Sequence, residues 1–170
     1  KEFNVSKRME DMFCKYNYKL VILSNETKGP FETLSNAIKK ENITGKSIIC
    51  DCDHSIHIHD MIEKINKYPD LCDIMLPVYN LENENLNSWS KIYLKNNNII
   101  AITEKEILNK NDIFYDEYKG IIGCYYFNNL DLFYNKDTII YENISDLILN
   151  NFDKIKLEYF EIKKAYFYNA

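Results

Sequence analysis

Arginine is nearly absent from this chain: Arg8 is the sole example in 170 residues. Lys and Arg together number 21 against 26 Asp and Glu, giving a net charge of -5 and a pI near 5.3, with no basic stripe. That balance argues against a nucleic-acid scaffold, because grip on a phosphate backbone comes from clustered lysine and arginine. A small anion bound locally stays open. No apolar run approaches the roughly 18–20 residues of a membrane span, and no secretory leader pattern opens the chain. Cysteine is sparse and odd in number: Cys14, Cys50, Cys52, Cys72 and Cys124. These fall mostly within apolar stretches, which predicts buried thiols in a reducing cytoplasm. Cys50-x-Cys52 lacks both the two-residue spacer and the second pair of a zinc knuckle. Four glycines are few for an α/β enzyme, and tryptophan occurs once, at Trp89.

What remains is an ordinary globular composition, 46% apolar and 28% charged. At 20.3 kDa the chain reads as one domain over residues 1–170, large enough to bury a core. Its most informative stretch is Lys46-Ser47-Ile48-Ile49-Cys50-Asp51-Cys52-Asp53-His54, an apolar strand that ends in two carboxylates. Side chains alternate along a strand, so Asp51 and Asp53 project to the same side, close enough to share a divalent ion. Folding alone gives no reason to crowd like charges there. A Mg²⁺ ion with phosphate ligands does.

The surrounding pattern predicts alternating helices and strands. Met9, Met12, Phe13 and Tyr16 mark an amphipathic helix over 6–16, and Lys19–Leu23 reads as a strand. Gly29-Pro30 opens a helix with Phe31, Leu34, Ala37 and Ile38 inward. Ser47–Asp51 is the next strand. Asp60 with Glu63 resembles a capping box, followed by inward Met61, Ile62 and Ile65 and a strand over Asp73–Tyr79. In the second half, Lys91–Leu94 and Ile99–Thr103 flank a hairpin turn at 95–98, and a long apolar run covers Gly120–Phe127. Short helices near 130–134 and 145–151 precede strands at Ile155–Tyr159 and Ala165–Tyr168. The expectation is an α/β layer fold with a mixed, mostly parallel sheet and flanking helices.

Ligands of open α/β sheets gather at the carboxyl ends of strands. On this reading three polar features lie there: the 24–30 loop with a helix N-terminus at Gly29, the Asp51/Asp53 pair, and Glu104-Lys105 after the hairpin. Each is weak alone; Gly29 reads more readily as a simple turn residue, and Glu104-Lys105 also reads as solvated charge. Their order is informative. Asn25-Glu26-Thr27-Lys28-Gly29-Pro30-Phe31-Glu32-Thr33-Leu34, Ile48–Asp53, Ile99–Lys105, Gly123-Cys124-Tyr125-Tyr126-Phe127 and Glu142-Asn143-Ile144-Ser145-Asp146 follow one another along the chain. Together they resemble the nucleotidyltransferase family that makes sugar nucleotides and related activated head groups on a Rossmann-like, glycosyltransferase-A-like fold.

The resemblance implies a Mg²⁺-dependent transfer of a nucleoside monophosphate from a nucleoside triphosphate to a phosphorylated sugar or small head group. Pyrophosphate leaves, and the product serves capsule, surface-polysaccharide or related biosynthesis. Asp51 and Asp53 hold the metal on this reading, Lys105 neutralises the attacking phosphate, and Glu104 and Glu142 accept hydrogen bonds from acceptor hydroxyls. Thr27, Gly29, Gly123 and His54 stand beside the substrates. No general base is needed, since the phosphate nucleophile is already ionised. A cytoplasmic protein, with a homodimer allowed, fits this picture. The family's Gly-rich phosphate cradle with its arginine has no counterpart here, nor does its second metal carboxylate beyond the final strand. The implication is a domain incomplete at both ends, with roughly two β-α units of about 30 residues each preceding Lys1, and no catalysis by residues 1–170 alone.

Other chemistries bear on the same residues. Haloacid-dehalogenase-like phosphatases use a strand ending Asp-x-Asp, with Asp51 then the nucleophile, Asp53 the acid–base and Lys19–Asn25 similar to their second motif. That segment precedes the aspartates instead of following them. A hydrolytic metal cluster of His54, His57, His59 and Asp60 lacks the further Asp-His such sites use. A third reading is a domain that binds a nucleotide or a partner without turnover. Trp89 suits packing of its loop better than stacking on an acceptor.

Overall fold

The computed structural model describes residues 5–81, 86–109, 111, 113–134, 141–163 and 165–167. In chain order its elements are α1 (Val5–Phe13), α2 (Pro30–Glu41), β1 (Ser47–Cys50), β2 (His54–Ile56), α3 (His59–Lys67) and β3 (Ile74–Tyr79). After these come β4 (Lys91–Lys95), β5 (Asn98–Thr103), β6 (Glu117–Ile121), β7 (Cys124–Phe127), α4 (Ile144–Asn150), β8 (Leu157–Glu161) and β9 (Ala165–Phe167).

An apolar strand without alternation needs cover on both faces. β3 (IMLPVY) is such a strand, with every residue but Tyr79 buried. Ile74, Leu76 and Val78 pack with Phe31 and Ile38 of α2 and with Ile144, Leu147 and Ile148 of α4. Met75 points the other way, into a smaller cluster with Met61 and Ile65 of α3, Cys72 and Tyr126. Helices thus cover both faces of the sheet. Among the described residues no helix is long and apolar enough to cross a membrane.

The seven-stranded sheet runs β1-β7-β3-β6-β4-β5, with β8 on β3 as well. Contrary to the expected mostly parallel sheet, only β3–β8 is parallel among the described pairings; the remaining pairs are antiparallel. The reason is an insertion. β1, α3 and β3 do alternate as expected, but β7 lies between β1 and β3 and runs against both. β6 and β7 follow one another along one edge of β3, joined by Ile122, whose N–H donates to the Pro77 carbonyl at 3.0 Å. Their other edge carries β1 beside β7 and β4 beside β6. The apolar run 120–127 is therefore one broken strand. The break, at Ile122-Gly123, is where β1 ends and β4 begins.

Several local expectations hold and others do not. Pro30 occupies the first turn of α2, and Asn42 closes that helix in the left-handed conformation. The β4–β5 turn is tighter than expected: Asn96 and Asn97 both have positive φ, so the strands continue through Lys95 and Asn98. Lys19–Leu23 forms no strand; no described strand pairs with it, and Leu20 and Ile22 are exposed. Asp60 does not cap α3, which starts one residue earlier at His59. His54–Ile56, read as loop, pairs with β9. Tyr168 lies outside the described residues. Of the thiols expected to be buried, Cys72 and Cys124 are, whereas Cys14, Cys50 and Cys52 are exposed.

Candidate active site at the break in the sheet

A cavity of about 270 Å³ lies at the break in the 117–127 strand, beside the end of β1 and the start of β4. Asp51 and Asp53 enter it from the end of β1, Glu104 and Lys105 from the end of β5, and Gly123 from the break itself. Segments about fifty residues apart in sequence thus meet because β1 and β4 pair with the two halves of one broken strand.

Gly123 makes this approach possible. A β-carbon there would overlap Asp51 Oδ2 and lie 3.1 Å from His54 Cε1. The Asp51 N–H donates to the Gly123 carbonyl at 2.7 Å, so backbone as well as side chain is fixed at this point. Burial, and then the neighbouring Asp53 carboxylate, raise the Asp51 pKa above its ordinary value, with His54 opposing. Asp53 Oδ1 lies 2.9 Å from Nδ1 of the buried His54 ring, at the start of β2.

Opposite this pair, Glu104 is held at Oε2 by two hydroxyls, Ser90 Oγ and Ser145 Oγ, each donating to it. Its other oxygen stands 3.9 Å from Lys105 Nζ. Lys105 has φ 56°, a left-handed conformation rare for a residue with a side chain. The turn is clamped from below by an unusual buried lysine. Lys91, with no exposed surface, donates from Nζ to the carbonyls of Trp89 and of Glu106, the latter at 3.1 Å. Thr103 Oγ1 donates to the same Glu106 carbonyl at 2.8 Å and Tyr93 Oη at 3.3 Å. Burial lowers the Lys91 pKa, and the Glu104 carboxylate opposes that shift. Tyr125, pushed up by burial and then by the Asp51 and Glu104 carboxylates, lines the wall between the two acidic groups.

Of the other residues assigned from sequence, Glu142 and Gly29 sit together just outside the lining. A β-carbon on Gly29 would lie 2.6 Å from the Glu142 carbonyl, which accepts from Phe31 N–H at 3.3 Å. Their contact sets Pro30, Asn143 and Ile144 against the cavity. Thr27 is elsewhere: its hydroxyl bonds that of Thr33, and it lines a second cavity of about 350 Å³ with Asn25, Glu32 and Lys40. Trp89 both lines the cavity and packs on Gly120, where a β-carbon would meet its Cε3 at 3.0 Å. The sequence reading missed Ser90 and Lys91 as site residues and used Tyr125 and Ser145 only as parts of patterns. A lysine in the apolar strand KIYLK was the available signal for Lys91.

Among the described residues no cluster of three or more His, Cys, Asp or Glu side chains is placed to hold a metal. The site offers two carboxylates, Asp51 and Asp53, which are hard oxygen donors of the kind Mg²⁺ takes alongside phosphate oxygens and water.

No protein-family model matches the chain, and comparison with curated proteins finds no match. Solved structures do match in fold. A Bacillus anthracis protein assigned as a glucose-1-phosphate thymidylyltransferase superposes with TM-score 0.66 and 14% identity over 85% of this chain. A nucleoside-diphosphate-sugar pyrophosphorylase from Vibrio cholerae RC9 gives 0.67 and 15% over 97%. The inositol-1-phosphate CTP transferase from T. maritima gives 0.67 and 14% over 98%. This chain spans 57%, 72% and 66% of those three proteins respectively. At such identities the likeness is one of architecture, and the architecture of this chain is the one those nucleotidyltransferases and pyrophosphorylase share.

Proposed function

We propose that this chain carries the acceptor side and metal side of a nucleotidyltransferase site, joining a nucleoside monophosphate from a triphosphate to a phosphorylated sugar or small head group. The observation that carries the proposal is one cavity beside the ends of β1 and β5. It is lined by a carboxylate pair on one strand end and a Glu-Lys turn on another. The fold neighbours named for glucose-1-phosphate and inositol-1-phosphate transfer support the acceptor class. Use of the product in surface-polysaccharide or capsule synthesis is an extension of the same reading.

Two anions must be brought into line, so the chemistry asks for charge neutralisation and alignment more than proton transfer. Asp51 and Asp53 would hold Mg²⁺, which when bound supplies positive charge to phosphate oxygens. Lys105 binds the acceptor phosphate through its exposed ammonium. Glu104, with Oε2 already satisfied by the two serines, keeps Oε1 to accept from an acceptor hydroxyl and hold its orientation. Gly123 lets Asp51 sit low enough to leave room above it. His54 orients Asp53. The haloacid-dehalogenase reading used Lys19–Asn25 as a motif strand, and that segment has no strand structure.

The test is a thermal-shift screen of the four ribonucleoside triphosphates with and without Mg²⁺, followed, in the intact protein, by pyrophosphate release with phosphorylated sugars and head groups. Stabilisation by a triphosphate that needs Mg²⁺ and disappears in Asp53→Asn supports the site. Release of inorganic phosphate in place of pyrophosphate, or indifference to every triphosphate, overturns it.

A further inference from the structure

Cys50 and Cys124 face one another across β1 and β7, the last residue of one strand directly opposite the first residue of the other. The next pair out, Asp51 and Gly123, is joined by the Asp51 N–H to Gly123 carbonyl bond. Hydrogen-bonded and non-hydrogen-bonded pairs alternate along an antiparallel ladder, so Cys50 and Cys124 form a non-hydrogen-bonded pair. Side chains approach closest in such pairs, with α-carbons about 4.5 Å apart. That spacing falls inside the roughly 4.4–6.8 Å range a disulfide spans. The sulfurs are 3.0 Å apart as free thiols. Closing to a bond of about 2.05 Å asks for a movement of about an ångström.

We infer that Cys50 and Cys124 form a redox modification site, a cross-strand dithiol that a small-molecule disulfide such as oxidised glutathione converts to an intramolecular disulfide beside the Asp51/Gly123 contact. Exposure sets the order of events. Cys50 is exposed and Cys124 is fully buried, so the oxidant meets Cys50 first. Cys50 gives up its proton and its sulfur attacks one sulfur of glutathione disulfide. The S–S bond breaks, and one glutathione leaves as a thiol with that proton. Cys124 then attacks the Cys50 sulfur of the mixed disulfide, and the second glutathione departs with the Cys124 proton. The protein loses two protons and two electrons, and the oxidant becomes two thiols. The new bond ties the free end of β1 to β7, where β1 has no other described strand neighbour. This inference is independent of whether the cavity handles nucleotides.

The experiment treats the full chain with glutathione disulfide and maps disulfides by mass spectrometry without reduction. The expected result is a linked Cys50–Cys124 peptide, a mass lower by two hydrogens and an apparent melting temperature raised on the order of 5–10 °C, all reversed by dithiothreitol. In Cys124→Ser the reaction should stall with glutathione left on Cys50. Should that variant not fold, the triple variant Cys14→Ser/Cys52→Ser/Cys72→Ser retains only the pair and must still form the bond. A persistent glutathione adduct on Cys50 in the unmodified chain, or a Cys50–Cys52 link, overturns the inference. So does linkage that appears only after denaturation.

Discussion

Gly123 packs against Asp51 so closely that a β-carbon on it would overlap Asp51 Oδ2 and stand 2.8 Å from Asp51 Cγ. Its φ is outside the left-handed region, so the glycine is required by the approach of the carboxylate and not by its own backbone. Gly123→Ala should push Asp51 out of place at a folding cost of about 1–3 kcal/mol, the usual range for overpacking. The Mg²⁺-dependent thermal shift with triphosphate should vanish as well. Calorimetry with and without ligand measures both effects, and a retained ligand shift would mean that Asp51 is not used.

The same carboxylate gives a pH signature. Burial and Asp53 raise the Asp51 pKa above 3.8, so the folded state holds that proton more tightly than the unfolded chain. Its stabilising contribution is complete below about pH 3.8 and is lost as pH rises through the folded-state value. Asp51→Asn is uncharged throughout. Without ligand it should therefore be more stable than the parent at neutral pH, with the gap closing as pH is lowered toward 3.8. Denaturant titrations across that window measure the gap. An Asp51→Asn variant less stable than the parent at neutral pH would show that the carboxylate is held by compensating contacts. A site that gains stability when its acid is removed is one kept for binding.

Glu104 makes a different prediction, because its orientation comes from two serines on separate elements. Ser145 is buried in the first turn of α4, and Ser90 precedes β4. Ser145→Ala removes one hydroxyl donor to the carboxylate, a loss of about 1.5–3 kcal/mol in interaction with a charged group. If Glu104 orients the acceptor, that loss should raise the acceptor KM by about tenfold or more and leave triphosphate affinity unchanged. Steady-state kinetics of the intact protein, with each substrate varied in turn, separates the two. An equal effect on both substrates would assign the serine to the fold alone.

Legibility differed between strand ends and strand neighbours. Ile48–Asp53 announced itself, since two carboxylates after an apolar strand have no folding explanation, and they do line a cavity with Glu104, Lys105 and Gly123. The order of strands was not legible. Alternation of β1, α3 and β3 says that β1 and β3 run the same way; it does not say that β7, whose Cys124 is 74 residues beyond the Cys50 it faces, enters between them. The 120–127 run looked continuous because Ile122 and Cys124 are as apolar as their neighbours; the break shows only through what meets it from the side. Lys19–Leu23 has a strand composition and no strand, because pairing is decided by a partner and not by propensity. Ser90 and Ser145 carry no pattern of their own. They matter through Glu104, a contact across 14 residues in one case and 41 in the other.

Lys105 places backbone strain at the edge of the cavity. Its left-handed φ of 56° costs a residue with a β-carbon about 1–2 kcal/mol and costs glycine almost nothing. The conformation persists because Lys91, Tyr93 and Thr103 all donate to the Glu106 carbonyl on the next residue and hold the turn. Lys105→Gly should therefore be more stable than Lys105→Ala by about 1 kcal/mol, while both lose the ammonium and, in the intact protein, pyrophosphate release with it. Urea unfolding of the two variants reads the backbone term, since neither has a charge to confuse it. Equal stabilities would show that the turn relaxes once the lysine is gone, and so that the side chain, not the Glu106 anchor, holds the conformation. A gap of the expected size, with both variants inactive, would show instead that the fold bears the strain in order to present this one amine to the cavity.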